Sequence, residues 1–253
     1  MKKLIFAVLC CLPLTAFGWS KIGHYTVAEV AQSQLTRRAE KKITKVLDNA
    51  SLAMVSNYAD NIKSDKNYND RYNWHYCNFP ADITKSQFDS LAQGNQNGQA
   101  FYQIIRITEY LKKNPNDADM LKMLIHLVGD VHQPLHIGHP DDKGGNGVKV
   151  KWFRYKTNLH RIWDSNMVES EKMSYTELAN KVSSLYPATK QNYSVENLLQ
   201  WGWETYQITN ELYKTSNEVN KTYQYIYKYR SVCDKQLANG GYHLASILNY
   251  IYK

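Results

Sequence analysis

LKMLIHLVGDVHQPLH, residues 121–136, is an apolar helical pattern that Pro134 brings to an end. His126 and Asp130 are four residues apart, so their side chains lie one above the other on one helix face. An imidazole and a carboxylate in an apolar run are costly to bury unless something compensates them, and a divalent metal ion does so. His136 follows the proline and can turn back toward the same region. The stretch therefore predicts a metal-binding helix.

A second pair of the same kind lies in NLHRIWD, where Asp164 follows His160 by four residues. Asp60 and His75 add a carboxylate and an imidazole outside the two pairs. A structural ion pair would explain either pair alone, but not the whole set. Imidazoles and carboxylates suit zinc, and their number exceeds the three or four protein ligands of one ion. We therefore expect a polynuclear zinc site, an arrangement that supports in-line displacement at phosphorus.

Apolar residues recur at helical spacing over most of the chain after Trp19. Residues 148–153 alternate apolar and basic side chains, which predicts a strand, and a turn near residues 156–157 would close a small hairpin. Tyrosines alternate over residues 223–229 without an evident partner strand. We interpret them as an irregular lead into a final helix over about residues 233–251. The sequence predicts one all-α domain with a small β-hairpin.

Residues 1–18 have the features of a signal peptide. Two lysines precede an apolar segment too short to span a bilayer, and Ala16 and Gly18 fit the small-residue cleavage rule. We expect cleavage after Gly18, a mature single domain over residues 19–253 with Trp19 first, and a secreted or periplasmic location without a membrane anchor. Cleavage lowers the formal net charge from +8 to +6 by removing two lysines. That balance fits a polyanionic substrate and equally a solvated basic surface.

Two cysteines, Cys77 and Cys233, remain after this cleavage. In an oxidising compartment they predict one disulfide that closes a long loop. Thiolate metal ligation is the alternative. Glycosylation sequons at Asn49, Asn192 and Asn220 matter only in a eukaryotic secretory route, and the short basic signal favours a bacterial one.

Several motifs follow one another in a fixed order along the mature chain. They are WSKIGH at 19–24, YAD at 58–60, WHY at 74–76, HLVGDVHQPLH at 126–136, GGN at 144–146, NLHRIWD at 158–164 and GGYHLASILN at 240–249. Together they resemble the zinc-dependent, single-strand-specific nucleases of the S-one/P-one type, also described as type I nucleases or 3′-nucleotidases. The resemblance implies a mainly helical, phospholipase C/nuclease-like fold with three Zn²⁺ ions at the bottom of a cleft.

The resemblance also implies which residues bind the ions. The first ion would take Asp60, His75, His126 and Asp130; the second His136, His160 and Asp164; and the third the α-amino nitrogen and carbonyl oxygen of Trp19 with His24 and Asp130. Asp130 would then bridge two ions, and the α-amine of Trp19 would exist as a ligand only after signal cleavage.

The activity that the resemblance implies is endonucleolytic hydrolysis of single-stranded DNA and RNA to 5′-phosphorylated products, with 3′-nucleotidase activity. Asp60, Lys63 and Asp130 would be catalytic. Lys63 would bind phosphate where the family usually has an arginine, and lysine offers a point charge without the bidentate fork. Nucleic acid and nucleotides would be the substrates, no protein partner is expected, and the chain would be a monomer.

The base-binding residues implied by the resemblance are Tyr76, which would stack on a base, and Asn78, which would hydrogen-bond to it in place of a family acid. A core role is the alternative for Tyr76. Asn146 would order the loop near the site, or form a purely structural turn. No catalytic role is assigned to His132, His139 and His243.

Two other functions share some of these features. A zinc-dependent phospholipase C has the same trinuclear architecture but acts on lipid headgroups. A non-catalytic helical zinc-binding protein would bind the metal without hydrolysis, although structural zinc does not require open coordination positions.

Overall fold

Helices form most of the computed structural model, which describes residues 19–94, 99–189 and 192–253. The predicted signal peptide, residues 1–18, lies outside the described residues. The helices are α1 (Lys21–Ser33), α2 (Arg37–Val46), α3 (Leu52–Val55), α4 (Tyr58–Asn61), α5 (Lys85–Gln93), α6 (Ala100–Lys113), α7 (Ala118–Asp130), α8 (Leu159–Arg161), α9 (Met167–Glu169), α10 (Tyr175–Leu185), α11 (Val195–Lys214) and α12 (Thr222–Ile251). The predicted all-α class with one small hairpin is confirmed.

Helix α7 is the predicted metal-binding helix, and it runs through the core. Its first turn is capped by the Asp117 carboxylate, which accepts a hydrogen bond from the N–H of Met120 at 3.0 Å. Its last residues, 123–130, are all buried. The chain then makes a 3₁₀ turn, Pro134–Ile137, which changes its direction and places His136 beside the end of the helix.

Helices α1 and α12 pack against each other closely enough to exclude side chains between them. A Cβ atom at Gly241 of α12 would lie 2.4 Å from the Cβ atom of Val30 on α1. Helices α3 and α10 also pack against α1. This arrangement holds α1, which carries His24, against the core.

Helix α12 begins at Thr222, so the prediction of an irregular lead-in before residue 233 is wrong. Tyrosines two residues apart lie on opposite sides of a helix, and those four apart share a face. Tyr225 and Tyr229 are accordingly buried, whereas Tyr223 and Tyr227 are exposed. The alternation thus belongs to a helix that buries one face.

The two strands, β1 (Lys149–Trp152) and β2 (Tyr155–Asn158), form the predicted antiparallel hairpin. The turn lies at residues 153–154, where Phe153 has φ +52°, so the prediction of a turn near residues 156–157 is wrong. Those two residues pair with β1 inside the second strand. Asn158 also caps α8, because its side-chain oxygen accepts a hydrogen bond from the N–H of Arg161 at 2.8 Å. A π-helical turn, Ile162–Asn166, follows α8. The hairpin therefore fixes the start of the segment that carries His160 and Asp164.

The predicted disulfide between Cys77 and Cys233 is absent, and both thiols are free and buried. Cys77 lies against the backbone of Phe101 on α6, whereas Cys233 lies on α12 near Arg230. The prediction used only the compartment and the number of cysteines, which carry no information on distance. Burial raises the pKa of the Cys77 thiol to about 11 and that of Cys233 to about 12, so both are protonated at neutral pH.

No helix in the described parts of the chain combines the length and the apolar character needed to cross a membrane.

Candidate metal centre and substrate cleft

Eight of the nine predicted metal ligands meet in three neighbouring groups of side chains. In each group the ligand atoms lie within 4.8 Å of one another; the groups are His24, His126 and Asp130; Asp60, His75 and His126; and His136, His160 and Asp164. The ninth residue, Trp19, is fully buried. The N–H of Ser20 donates to the carbonyl of Asp164 at 2.6 Å, which ties the segment at Trp19 to the third group.

Hydrogen bonds to main-chain carbonyls orient three of the imidazoles. The Nδ1 atom of His126 lies 2.7 Å from the carbonyl of Ser56. In the same way Nδ1 of His136 lies 2.6 Å from the carbonyl of His75, and Nδ1 of His160 lies 2.6 Å from that of Gly144. A carbonyl only accepts, so each Nδ1 carries the proton. In a neutral ring the Nε2 atom then carries a lone pair, which points away from the carbonyl.

Each of these Nε2 atoms faces a carboxylate. His126 Nε2 lies 3.2 Å from Asp130 Oδ2, and His160 Nε2 lies 3.1 Å from Asp164 Oδ2. His136 Nε2 lies 3.7 Å from Asp164 Oδ1. A lone pair opposite a carboxylate oxygen is repulsive unless a proton or a metal ion lies between them. An imidazole that donates through Nδ1 and presents Nε2 is also the usual form of a zinc-binding histidine.

The end of α7 has a further pair of ligand atoms without hydrogen bonds. His24 Nε2 and Asp130 Oδ1 are buried, and neither has a hydrogen-bond partner among the described residues. They lie 3.4 Å apart. Leaving a buried imidazole nitrogen and a buried carboxylate oxygen unsatisfied is costly. The residues present therefore fit a metal ion, which would bind both atoms.

Protonation states at the centre suit metal binding. Burial lowers the pKa of His75 to about 4 and also lowers that of His24. Burial would raise the pKa of Asp130, but the imidazoles of His126 and His136 outweigh it and hold that pKa well below its usual range. The pKa of His126 is raised, because Asp130 and Asp60 outweigh its burial, so metal binding there would displace a proton. Neutral imidazoles and ionised carboxylates are the ligand forms that a metal requires.

A glycine gives His24 its place beside α7. A Cβ atom at Gly129 would lie 2.9 Å from Nδ1 of His24, which stacks on His126 with ring centroids 3.9 Å apart. Gly129 therefore lies where α1 and α7 pack so closely that the imidazole of His24 contacts the main chain of α7.

Replacing Gly129 with alanine should displace His24 and lower both zinc content and hydrolysis. Changes that disturb ligand orientation typically cost about 10- to 100-fold in metal affinity or activity. Alanine favours a helix over glycine by about 1 kcal/mol, so the helix itself is not weakened. Zinc analysis and hydrolysis rates would measure the effect. Gly94→Ala is the control, because its nearest neighbour would lie 3.4 Å away. Equal zinc and activity in both variants would contradict the assignment.

A cleft of about 710 Å³ opens over the ligands, and all four residues predicted to bind substrate line it. Lys63 pairs with Asp60, with Nζ 2.6 Å from Oδ1. Tyr76 is half-buried, and its hydroxyl donates to Asn73 at 2.9 Å. The Asn78 side chain lies close to the turn at Gly144.

Asn146, the fourth of these residues, uses its side chain within its own loop. Its amide donates to the carbonyl of Lys143 at 2.9 Å. The side chain therefore stabilises the turn at the edge of the cleft, which supports the structural interpretation of this residue.

Sequence reasoning missed several residues of the cleft and centre. Gln133 is fully buried; its amide donates to the Asp164 carboxylate, and its carbonyl accepts from the N–H of Leu135 at 2.6 Å. Its position in the apolar stretch around α7 was a usable signal, as it was for His126. Lys143 and Lys149 also line the cleft. The sequence offers only a weak signal for this role, since one lies in a polar loop and the other in the predicted strand.

The three other histidines lie outside the ligand groups. His132 bonds through Nδ1 to the carbonyl of Val128 at 2.7 Å and through Nε2 to Nδ1 of His243 at 2.7 Å. His243 stacks on Trp201, and His139 stacks on Tyr213. Burial lowers the pKa of His132 to about 4, so it is a neutral structural residue at neutral pH.

Comparisons with known proteins agree with this geometry. A sequence model described as S1/P1 Nuclease matches residues 19–253. The chain is 30% identical to Endonuclease 3 of Arabidopsis thaliana, over 97% of this chain and 92% of the relative. It is 29% identical to Nuclease S1 of Aspergillus oryzae, over 98% of this chain and 96% of the relative. The phospholipase C alternative is not favoured. The chain belongs to the S1/P1 nuclease family, and it is a hydrolase of phosphodiester bonds.

Proposed function

We propose that this nuclease is a zinc-dependent endonuclease that cleaves single-stranded DNA and RNA to 5′-phosphorylated products and also acts as a 3′-nucleotidase. The observation that carries the proposal is the set of imidazole Nε2 atoms that face buried carboxylates at 3.1–3.7 Å below a cleft. Three Zn²⁺ ions per chain would bind to the residues implied by the family: Trp19, His24, Asp60, His75, His126, Asp130, His136, His160 and Asp164.

Bound zinc supplies Lewis-acid stabilisation of the charge that develops on the phosphoryl group. The side chains define where the substrate lies. Asp130 extends one oxygen toward His24 and the other toward His75 and His126, so its carboxylate serves two groups of ligands. Lys63, held beside Asp60, presents an ammonium to the cleft and can bind a phosphate oxygen.

Base binding explains the preference for single strands. Tyr76 is half-buried and lines the cleft, where its ring can stack on a base. Stacking on an aromatic ring is worth about 1–3 kcal/mol per base and tolerates any sequence. Bases in a duplex are not free to enter such a site. Asn78 can both donate and accept, so it can hydrogen-bond to the edge of the stacked base.

The N-terminus provides a separate test, because the proposed third ion uses the α-amine of Trp19. The family match begins at this residue, which supports a mature domain over 19–253, secretion and cleavage after Gly18. A protein that retains one residue before Trp19 should lose one zinc ion and most of its activity. Metal analysis of matched proteins beginning at Gly18 and at Trp19 would measure this. Full zinc content in the extended protein would contradict the assignment.

One assay on four substrates tests the proposed function. We expect the purified protein to cleave single-stranded DNA, RNA and 3′-AMP, and to leave phosphatidylcholine intact. Lipid cleavage without nucleotide products would instead support a phospholipase C. Bound zinc without any hydrolysis would support a structural zinc protein.

A further inference from the structure

The loop between the 3₁₀ turn at Pro134–Ile137 and the hairpin contains three successive residues with positive φ. The angles are +57° at Lys143, +65° at Gly144 and +80° at Gly145. Glycine adopts this left-handed conformation without strain, whereas a side chain with a Cβ atom disfavours it. Lysine is not among the residues that tolerate the conformation best, which are glycine, asparagine and aspartate. Among these three residues, Lys143 is therefore the one whose backbone conformation costs free energy.

Hydrogen bonds fix the main chain on both sides of Lys143. The N–H of Lys143 donates to the carbonyl of Pro140 at 3.3 Å, and the N–H of Gly144 donates to that of His139 at 3.0 Å. The N–H of Gly145 donates to the Asp142 carboxylate at 2.7 Å. The Gly144 carbonyl then receives Nδ1 of His160. These hydrogen bonds hold the loop in the conformation that gives residue 143 its positive φ.

Among the described residues, the Lys143 ammonium has no hydrogen-bond or ion-pair partner, in contrast to the ammonium groups of the other two lysines of the cleft. Lys63 is paired with Asp60, and Lys149 donates to the carbonyl of Asn146 at 2.9 Å. Among the described residues, no carboxylate lies within 4 Å of the Lys143 ammonium. Asp142 also lines the cleft, but its carboxylate accepts from Gly145 N–H and the Tyr213 hydroxyl.

We propose that Lys143 is a phosphate-binding residue for the nucleic acid strand. It contacts a phosphate next to the nucleotide held at Tyr76 and Asn78, apart from the phosphate at the metal ligands. The proposal rests on the proposed function, because it needs a nucleic acid strand in the cleft. A strained residue at a functional site suggests a function when its side chain can do something that a less strained residue could not. Asparagine would fit the loop better, and it would lack the charge.

The test compares Lys143→Asn with Lys172→Asn. Lys172 also has a left-handed backbone, with φ +55°, but it lies outside the cleft. Both substitutions relieve the same strain, so the unfolding temperature should stay unchanged or rise in both. The binding of a phosphorothioate single-stranded oligonucleotide to the zinc-loaded protein would be measured over a range of salt concentrations. Zinc content and 3′-AMP hydrolysis would be measured in parallel.

We expect Lys143→Asn to weaken oligonucleotide binding about tenfold and to lower the salt slope by about 0.7, the value for one phosphate contact on a single strand. Lys143→Arg should restore both, and Lys172→Asn should bind like the wild type. Wild-type affinity and slope in Lys143→Asn, with wild-type 3′-AMP hydrolysis, would overturn the role of Lys143 alone. A wild-type protein that neither binds the oligonucleotide nor hydrolyses 3′-AMP would overturn the proposed function as well.

Discussion

Replacing Asp130 with asparagine should reduce hydrolysis of single-stranded DNA by at least about 10³-fold, because metal stabilisation of the transition state is worth several kcal/mol. Asp130 is fully buried, and its two oxygens lie 3.0–3.4 Å from ring nitrogens of His24, His75 and His126. The substitution keeps the shape of the side chain and removes the charge that two groups of ligands share. Zinc per chain should fall together with the rate, and both would be measured on the same folded sample.

A second buried carboxylate provides the control for this substitution. Asp234 is 2% exposed and pairs with Lys181 at 2.9 Å on α12, outside the ligand groups. Asp234→Asn should lower stability, because it removes one of the two carboxylates that pair with Lys181, the other being Glu171, but zinc content and rate per folded molecule should stay at the wild-type value. Full zinc and full activity in Asp130→Asn would show that the geometry of the cluster serves only the fold.

Removing zinc with a chelator should lower the unfolding temperature by about 8 °C or more. A ligand present at 1,000 times its dissociation constant stabilises the folded state by about 4 kcal/mol. In a domain of this size about 1 kcal/mol corresponds to 2–4 °C. Without the ion, the Nε2 atoms of His126 and His160 lie 3.2 Å and 3.1 Å from the carboxylates of Asp130 and Asp164, where each must either bind a proton or oppose the carboxylate with a lone pair. Differential scanning calorimetry before and after dialysis against chelator would measure the shift.

The pH dependence of this shift gives an internal check. The carboxylates around His126 raise its pKa, so without metal the folded protein holds this proton more tightly than the unfolded chain does. That stabilisation is complete below pH 6.5 and is lost as the pH rises through the raised value. The chelated protein should therefore lose stability relative to the zinc form as the pH rises above 6.5. An unfolding temperature that is insensitive to the chelator both below and above this pH would rule out a tightly bound ion at this centre.

Local spacing along one helix predicts only part of this centre. His126 and Asp130, and likewise His160 and Asp164, share a helix turn, so their proximity follows from the chain itself. Asp60 and His75 reach the same place through tertiary packing, and they could be assigned only by resemblance to a family. The left-handed turn that brings the Gly144 carbonyl to His160 has no comparable sequence signal beyond its glycines.

Two errors show where local reasoning fails. Alternating tyrosines are compatible with a strand and with a helix, and the sequence does not show which of them are buried. In the structure they belong to α12, which buries Tyr225 and Tyr229 on one face. Two cysteines in an oxidising compartment fit a disulfide until their packing is known, and the thiols of Cys77 and Cys233 are both free. Both outcomes depend on long-range contacts, which composition and periodicity do not contain.

The carbonyls that orient His126, His136 and His160 belong to the peptide backbone of Ser56, His75 and Gly144. A side-chain substitution does not delete a backbone carbonyl, so Ser56→Ala leaves the acceptor for His126 in place. The other two positions are less free, because His75 is itself a predicted ligand and a Cβ atom at Gly144 would lie 2.6 Å from the carbonyl of Leu135. The orientation of His126 can thus survive a change of residue 56 that would remove a side-chain hydrogen bond.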